Sequence, residues 1–382
     1  MQVRLLVALG ALVAVGYGIA APALPTFARS LDAGIAGASV LVGAFGAVRV
    51  AAAPLGGRLV RRLGERGVFC GGLLVVGLSS AACTVAADFR QLLVFRAAGG
   101  VGSVMFTVSA AALLVRLAPP RKRGRASAAW SGGFLLGAVA GPLLGGLLAE
   151  VSLRLPFLCY AVLLGVAAAV AAAVLEVPAG DGATTAGGAP RLLGHPVFRA
   201  ALVANLLQGW TVYGVRLALV PLYVGEVLHR SNAWAGAALT ALAAGTVAAL
   251  PVGGRWADRY GRRAPVLAGA ATVAVTAVWL GTAGSLAELL TAAALSGAGT
   301  GLMTPPVNAA VADLVARRGR VADGGPLLAG YQMVGDAGAV VGPVVAGVVA
   351  ERFGYATAFA TVSVIAAATF LCWWRAPETT VQ

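Results

Sequence analysis

The sequence predicts an all-α membrane protein, with twelve transmembrane helices in two pseudo-symmetric six-helix bundles. Three observations lead there. The 382 residues are 59% hydrophobic and only 11% charged, with a mean hydropathy of +0.89. A soluble domain carries roughly 25% charged residues, so there is too little charge here to cover a soluble surface. The apolar residues come in runs of about twenty, the length a helix needs to cross a hydrocarbon core ~30 Å thick. Two segments also recur in order at nearly the same spacing, 197 and 201 residues. In lipid each backbone group must be bonded internally, so the runs are helices and not open strands.

The net charge of +14 does not point to nucleic acid, because the basic residues sit in short loops between apolar runs. Cys70, Cys83, Cys159 and Cys372 lie singly in apolar stretches, without the spacing of a metal site or a disulfide framework. His195 and His229 fall in or beside loops. No metal or cofactor is expected. Arg4, the following apolar run and Ala20-Ala21-Pro22-Ala23 have the outline of a signal peptide. The repeat needs this segment as the first span instead.

The predicted spans lie near 4–25, 34–57, 67–87, 90–115, 126–149, 155–176, 198–225, 232–254, 264–283, 287–312, 327–350 and 354–374. The longest connection, 178–196, is rich in Gly and Thr and reads as a flexible linker. It separates an N-terminal bundle, 1–177, from a C-terminal bundle, 197–382. Twenty Lys and Arg residues fall in loops on one side and five on the other, with Arg49, Arg96 and Arg216 inside spans. Positive residues favour the cytoplasm. The expectation is a multi-pass protein of the plasma or inner membrane with both termini cytoplasmic.

The repeat is specific. Residues 54–66 read PLGGRLVRRLGER and residues 251–263 read PVGGRWADRYGRR. Seven positions are identical, among them Gly57/Gly254, Arg58/Arg255, Arg62/Arg259, Gly64/Gly261 and Arg66/Arg263. Gly137, Gly141, Pro142, Gly146 and Glu150 recur as Gly338, Gly342, Pro343, Gly347 and Glu351. Such self-similarity marks duplicated halves.

These residues carry a resemblance. Gly254-Arg255-Trp-Ala-Asp258-Arg259-Tyr-Gly261-Arg262-Arg263 resembles the cytoplasmic loop signature of the major facilitator superfamily, between spans 2 and 3 and again between 8 and 9. Arg96-Ala-Ala-Gly-Gly-Val-Gly102 is similar to its fourth-span motif, and Gly137 to Gly146 to the fifth-span signature of its drug:proton antiporters. The resemblance covers the whole chain. It implies a secondary transporter working by alternating access, with spans 1, 4, 7 and 10 lining a central cavity.

In that frame the loop residues Arg58, Arg61, Arg62 and Arg66 either enforce topology alone or latch the cytoplasmic face shut. In the second copy Asp258 is expected near the N-terminus of span 5, where a carboxylate gains roughly 0.3–1 kcal/mol, with Arg125 offering an ion pair. The first copy departs from the pattern, with Arg61 in place of the aspartate. A charge swap pairing Arg61 with Asp323 is the expectation. Gly137, Gly141 and Gly145 form a smooth strip beside Pro142 and Gly146, suited to close packing or to rocking of the halves.

Polar residues inside spans are costly, so they are functional candidates. Asn205, Gln208 and Arg216 fall within about 80° of one another on a helix. Arg96, Ser103 and Thr107 share a face, as do Gly297, Gly301, Thr304 and Asn308, and Tyr17 is the contributor from span 1. Interhelical bonding is the alternative role. Asp336 is the one carboxylate deep in a span. Matching depth, with the facing of spans 2 and 11 that the resemblance implies, suggests Arg49 as its partner in a proton switch or a static ion pair, with Arg216 second.

The expected function is proton-coupled efflux of a hydrophobic or amphipathic small molecule, and few acids beside two arginines argue against strongly cationic substrates. A nutrient importer and a non-transporting receptor are the alternatives. No paired acids, nucleophile–base arrangement or phosphate-binding loop suggests an enzyme. The partners expected are the substrate, protons and lipid, with no nucleic acid, for a monomer.

Overall fold

A computed structural model describes residues 2–119, 122–176, 195–316 and 324–378. Among them every regular element is a helix. They are α1 (Gln2–Arg29), α2 (Ile35–Thr84), α3 (Phe89–Leu117), α4 (Arg123–Val151), α5 (Leu155–Val174), α6 (Pro196–Gly209), a π-helical segment (Trp210–Leu217), α7 (Ala218–Glu226), α8 (Asn232–Tyr260), α9 (Arg263–Thr282), α10 (Leu286–Ala316), α11 (Gly324–Phe353) and α12 (Tyr355–Arg375). Ten of these helices are long and apolar enough to cross a membrane. Leu78, Leu136, Val151 and Val364 stand exposed along them, as lipid-facing residues must.

Two elements differ from the predicted spans. Spans 2 and 3 are one fifty-residue helix, α2, interrupted only at Gly64, whose φ is 74° and ψ 160°. The loop expected over 58–66 is therefore helical on both sides of a single residue. Its equivalent, Gly261, has φ 90° and does separate two helices, α8 and α9. Only glycine adopts this left-handed backbone without steric cost. The predicted seventh span is broken into α6, the π-helical segment and α7, because the backbone widens over Trp210–Leu217. Dividing α2 at Gly64 and joining the three segments gives twelve spans among the described residues.

The chain forms two compact units, Met1–Ala183 with His229–Thr240, and Thr184–Leu228 with Ala241–Gln382. In the first, the strip Gly137, Gly141 and Gly145 lies on α1. A methyl group at Gly141 would stand 2.6 Å from the Gly18 Cα. These glycines serve close packing inside the unit. Gly146 meets Asn232 and Gly236 of α8, where Glu150 accepts the Ala233 N–H at 2.7 Å. Phe69, Phe106, Trp130 and Phe134 pack in series through the core of the unit.

In the second unit Gly338 lies on Leu206 and Trp210, and Gly342 on Trp210 and Gly214. The repeat is visible in the packing itself. A methyl at Gly102 would approach the Gly72 carbonyl at 2.7 Å, and one at Gly299 the Gly269 carbonyl at 2.9 Å. Both residues of each pair are related by 197 positions.

Candidate functional site

The second unit holds a continuous polar line. On α10, Ser296, Thr300, Thr304 and Asn308 follow at four-residue spacing, which places them one above another on a helix face. Thr300 Oγ1 donates to the Ser296 carbonyl at 3.1 Å and Thr304 Oγ1 to the Thr300 carbonyl at 2.7 Å. Gln208 of α6 donates from Nε2 to Thr304 Oγ1 at 2.8 Å. Arg216, on the π-helical segment, donates from Nη2 to the Ser296 carbonyl at 2.8 Å, Ser296 Oγ at 3.1 Å and Thr300 Oγ1 at 2.7 Å. Tyr331 of α11 donates from its hydroxyl to Asn308 Oδ1 at 3.1 Å and accepts at its carbonyl from Asn205 Nδ2 at 2.6 Å. Exposure grades along the line, from 1% at Ser296 through half-buried Thr304 to exposed Asn308.

Four expected residues, Asn205, Gln208, Thr304 and Asn308, are thus brought together, and Arg216 joins through Thr300. Ser296, Thr300 and Tyr331 were not anticipated. The four-residue period running back from Asn308 was the available signal for the first two. Arg216, the second-choice partner for Asp336, does not pair with it, because its hydrogen bonds go to span 10 hydroxyls and a carbonyl.

The first unit places Arg96 differently. It is 4% exposed, with its guanidinium carbon 4.3 Å from the Phe45 ring centre and 5.7 Å from that of Tyr17. Tyr17 stands edge-on to Tyr160, 6.5 Å between centres. Arg96 makes no ion pair or hydrogen bond with a described residue, and cation–π attraction is its visible support. Thr107 turns its hydroxyl back to the Ser103 carbonyl at 2.9 Å, and Ser103 is half-buried.

The loop motifs are held inside their own units. Arg66 donates to the Ala172 carbonyl, two residues before the end of α5, and Arg263 to the Trp374 carbonyl, one before the end of α12. Cations are favoured at helix C-termini, where carbonyls lack partners. Arg263 also covers the Trp374 ring at 5.3 Å. Glu65 binds Arg116 at 2.7 Å, and Arg262 Nε lies 2.7 Å from Asp313 Oδ2. Glu378 accepts the N–H groups of Arg262 and Arg263 at 2.9 and 3.2 Å, capping α9 from beyond α12.

Of the remaining gate residues, Arg58, Arg61, Arg62, Arg125, Arg255, Asp258 and Arg259 are exposed, and a methyl at Gly57 or Gly254 would meet nothing closer than 3.9 Å. Arg49, Arg61, Arg125, Asp258 and Asp336 make no hydrogen bond or ion pair with a described residue of their own unit. Asp323 lies outside the described residues.

A family model, Major Facilitator Superfamily, matches residues 6–236 and 201–382. The chain belongs to the major facilitator superfamily. It is a multi-pass membrane protein of a transporter family, and it resembles the multidrug efflux branch. The chain is 32% identical over 168 residues to the quinolone resistance protein NorA of Staphylococcus aureus, covering 43% of this chain and 42% of NorA. It is 29% identical over 349 residues to the multidrug resistance protein B homolog of Mycobacterium tuberculosis, covering 74% and 64%. The chain thus spans less than two thirds of either relative. A bacterial homologue of the human lysosomal transporter Spinster, inward-facing and occupied, shares the fold, with TM-score 0.77, 15% identity and 98% and 96% coverage. So does the human organic anion transporter MFSD10, with TM-score 0.69, 19% identity and 97% and 98% coverage.

Proposed function

We propose that this chain exports an amphipathic small molecule against proton influx by alternating access, as a single polypeptide in a plasma or inner membrane. The observation that carries the reading is the polar line of the second unit, from Asn308 through Thr304 and Thr300 to Arg216. Polar groups are expensive within membrane helices and mark transport pathways, and this line supplies a continuous run of directional donors along apolar helices. The drug-resistance relatives support export of a drug or metabolite. The excess of Lys and Arg in loops on one side supports cytoplasmic termini and a cytoplasmic linker over 178–196, and the sequence repeat supports two homologous bundles divided there. Asp336, half-buried on α11 beside Gly335, is the proton-carrying group of this reading. The exposed arginines and Asp258 of the loop motifs are the cytoplasmic gate.

Inside-out vesicles with an acidic interior test it, using amphipathic dyes of positive, zero and negative charge. Accumulation that collapses when an ionophore removes the pH gradient is the expected result. Accumulation indifferent to the gradient would remove proton coupling from the proposal.

A further inference from the structure

We propose that Arg216 is the binding point for an anionic group of the transported molecule, a carboxylate or sulfonate, and that the chain selects for negative charge. The proposal rests on the transport reading and names its substrate class.

Arg216 is 6% exposed, so its charge is removed from water. A guanidinium has five N–H donors. Nη2 spends its two on Ser296 and Thr300. Nε is buried without a hydrogen-bond partner, and Nη1 has none among the described residues. All three acceptors are neutral oxygens, which orient the guanidinium and leave its charge uncompensated. A buried charge without a counter-ion is costly.

The carboxylates of the neighbouring helices are engaged elsewhere or make no pair. Glu288 bonds Ser285 and Gly284, Asp313 meets Arg262, and Glu226 accepts from Tyr355. Asp336 of α11 makes no ion pair with Arg216. No described carboxylate supplies the counter-ion, and under this proposal that role falls to the transported molecule.

Two further features fit a ligand. Arg216 sits on the π-helical segment Trp210–Leu217, and such widened turns occur frequently at functional sites because they re-aim side chains. The polar line leads to it from exposed Asn308. Gln208 and the hydroxyls of Thr304 and Thr300 can each turn a donor toward a passing anion. Arg216 ends that line as the strongest donor, suited to a planar carboxylate.

The test uses three probes of one shape, pyrenebutyrate, pyrenebutanol and a pyrenylalkyl trimethylammonium. Binding to the purified full chain in detergent is read by tryptophan fluorescence, and transport in inside-out vesicles. Wild type should bind the carboxylate about tenfold or more tighter than the other two, as expected for a charged hydrogen-bonded contact. Arg216→Gln should remove that preference and leave the alcohol within about twofold. Arg216→Lys should restore part of it. Equal binding of all three by wild type overturns the proposal. So does an equal loss of all three in Arg216→Gln protein that elutes and melts like wild type, because that marks a purely structural role. Arg216-dependent anion binding with no transport of any probe leaves this site standing and overturns the transport reading.

Discussion

Glu65 accepts two hydrogen bonds from Nη1 of Arg116, at 2.8 and 2.7 Å, and the second half repeats this contact with the charges exchanged. Its counterparts 197 positions on are Arg262 and Asp313, 2.7 Å apart. Each pair ties the glycine turn of a loop motif to the end of the helix that packs beside it. A charge swap was expected between Arg61 and Asp323. The swap observed lies within each unit, four residues along the motif.

The Glu65–Arg116 pair is largely shielded from solvent, so breaking it has a measurable cost. Glu65→Gln or Arg116→Gln should destabilise the detergent-solubilised protein by about 1.5–3 kcal/mol. Adopting the charge order of the second copy, Glu65→Arg with Arg116→Asp, should recover part of the thermal midpoint lost by Glu65→Arg alone. A double variant that melts no higher than the worse single one would show that the two side chains are not coupled.

Gly64 and Gly261 adopt φ values of 74° and 90°. Alanine at either position should cost about 1–2 kcal/mol. At Gly261 the added methyl would also stand 2.6 Å from the Glu378 carboxylate, so the loss there should be larger. Gly57→Ala and Gly254→Ala have room and should change little. Thermal melts ranking Gly57→Ala with Gly64→Ala would refute the backbone argument.

Glu378 caps α9 from the chain's end. Glu378→Ala should weaken the start of α9 by about 0.5–2 kcal/mol, seen as faster hydrogen exchange at the amides of Arg262 and Arg263. Unchanged exchange there would mean the cap contributes nothing.

The glycine strip of α4 separates from its neighbours by space alone. Gly141→Ala should disrupt the α1 contact and lower yield and stability, whereas Gly132→Ala and Gly165→Ala, with nothing within 4 Å, should be tolerated. Comparable yields for all three would contradict the packing described.

Asp336→Asn should abolish proton-driven accumulation while dye binding survives. Wild-type accumulation by Asp336→Asn under a pH gradient would exclude Asp336 as the coupling group.

The sequence by itself determined the membrane class, the twelve spans, the duplication and the family, because apolar runs and a repeat are properties of order along the chain. It also marked the turn glycines and most of the polar line, since a helix period shows which residues share a face. The tertiary structure decided the rest. Glu65 and Arg116 are 51 residues apart, and no local pattern shows that they meet. Ser296 and Thr300 continue the four-residue period back from Asn308, but that they bind Arg216 shows only once the helices are packed. The break of the seventh span into a π-helical segment left no signature in the apolar run. Periodicity tells which side of a helix is polar, but which partner that side meets depends on how the glycine-lined helices approach, and that is settled only when the bundle packs.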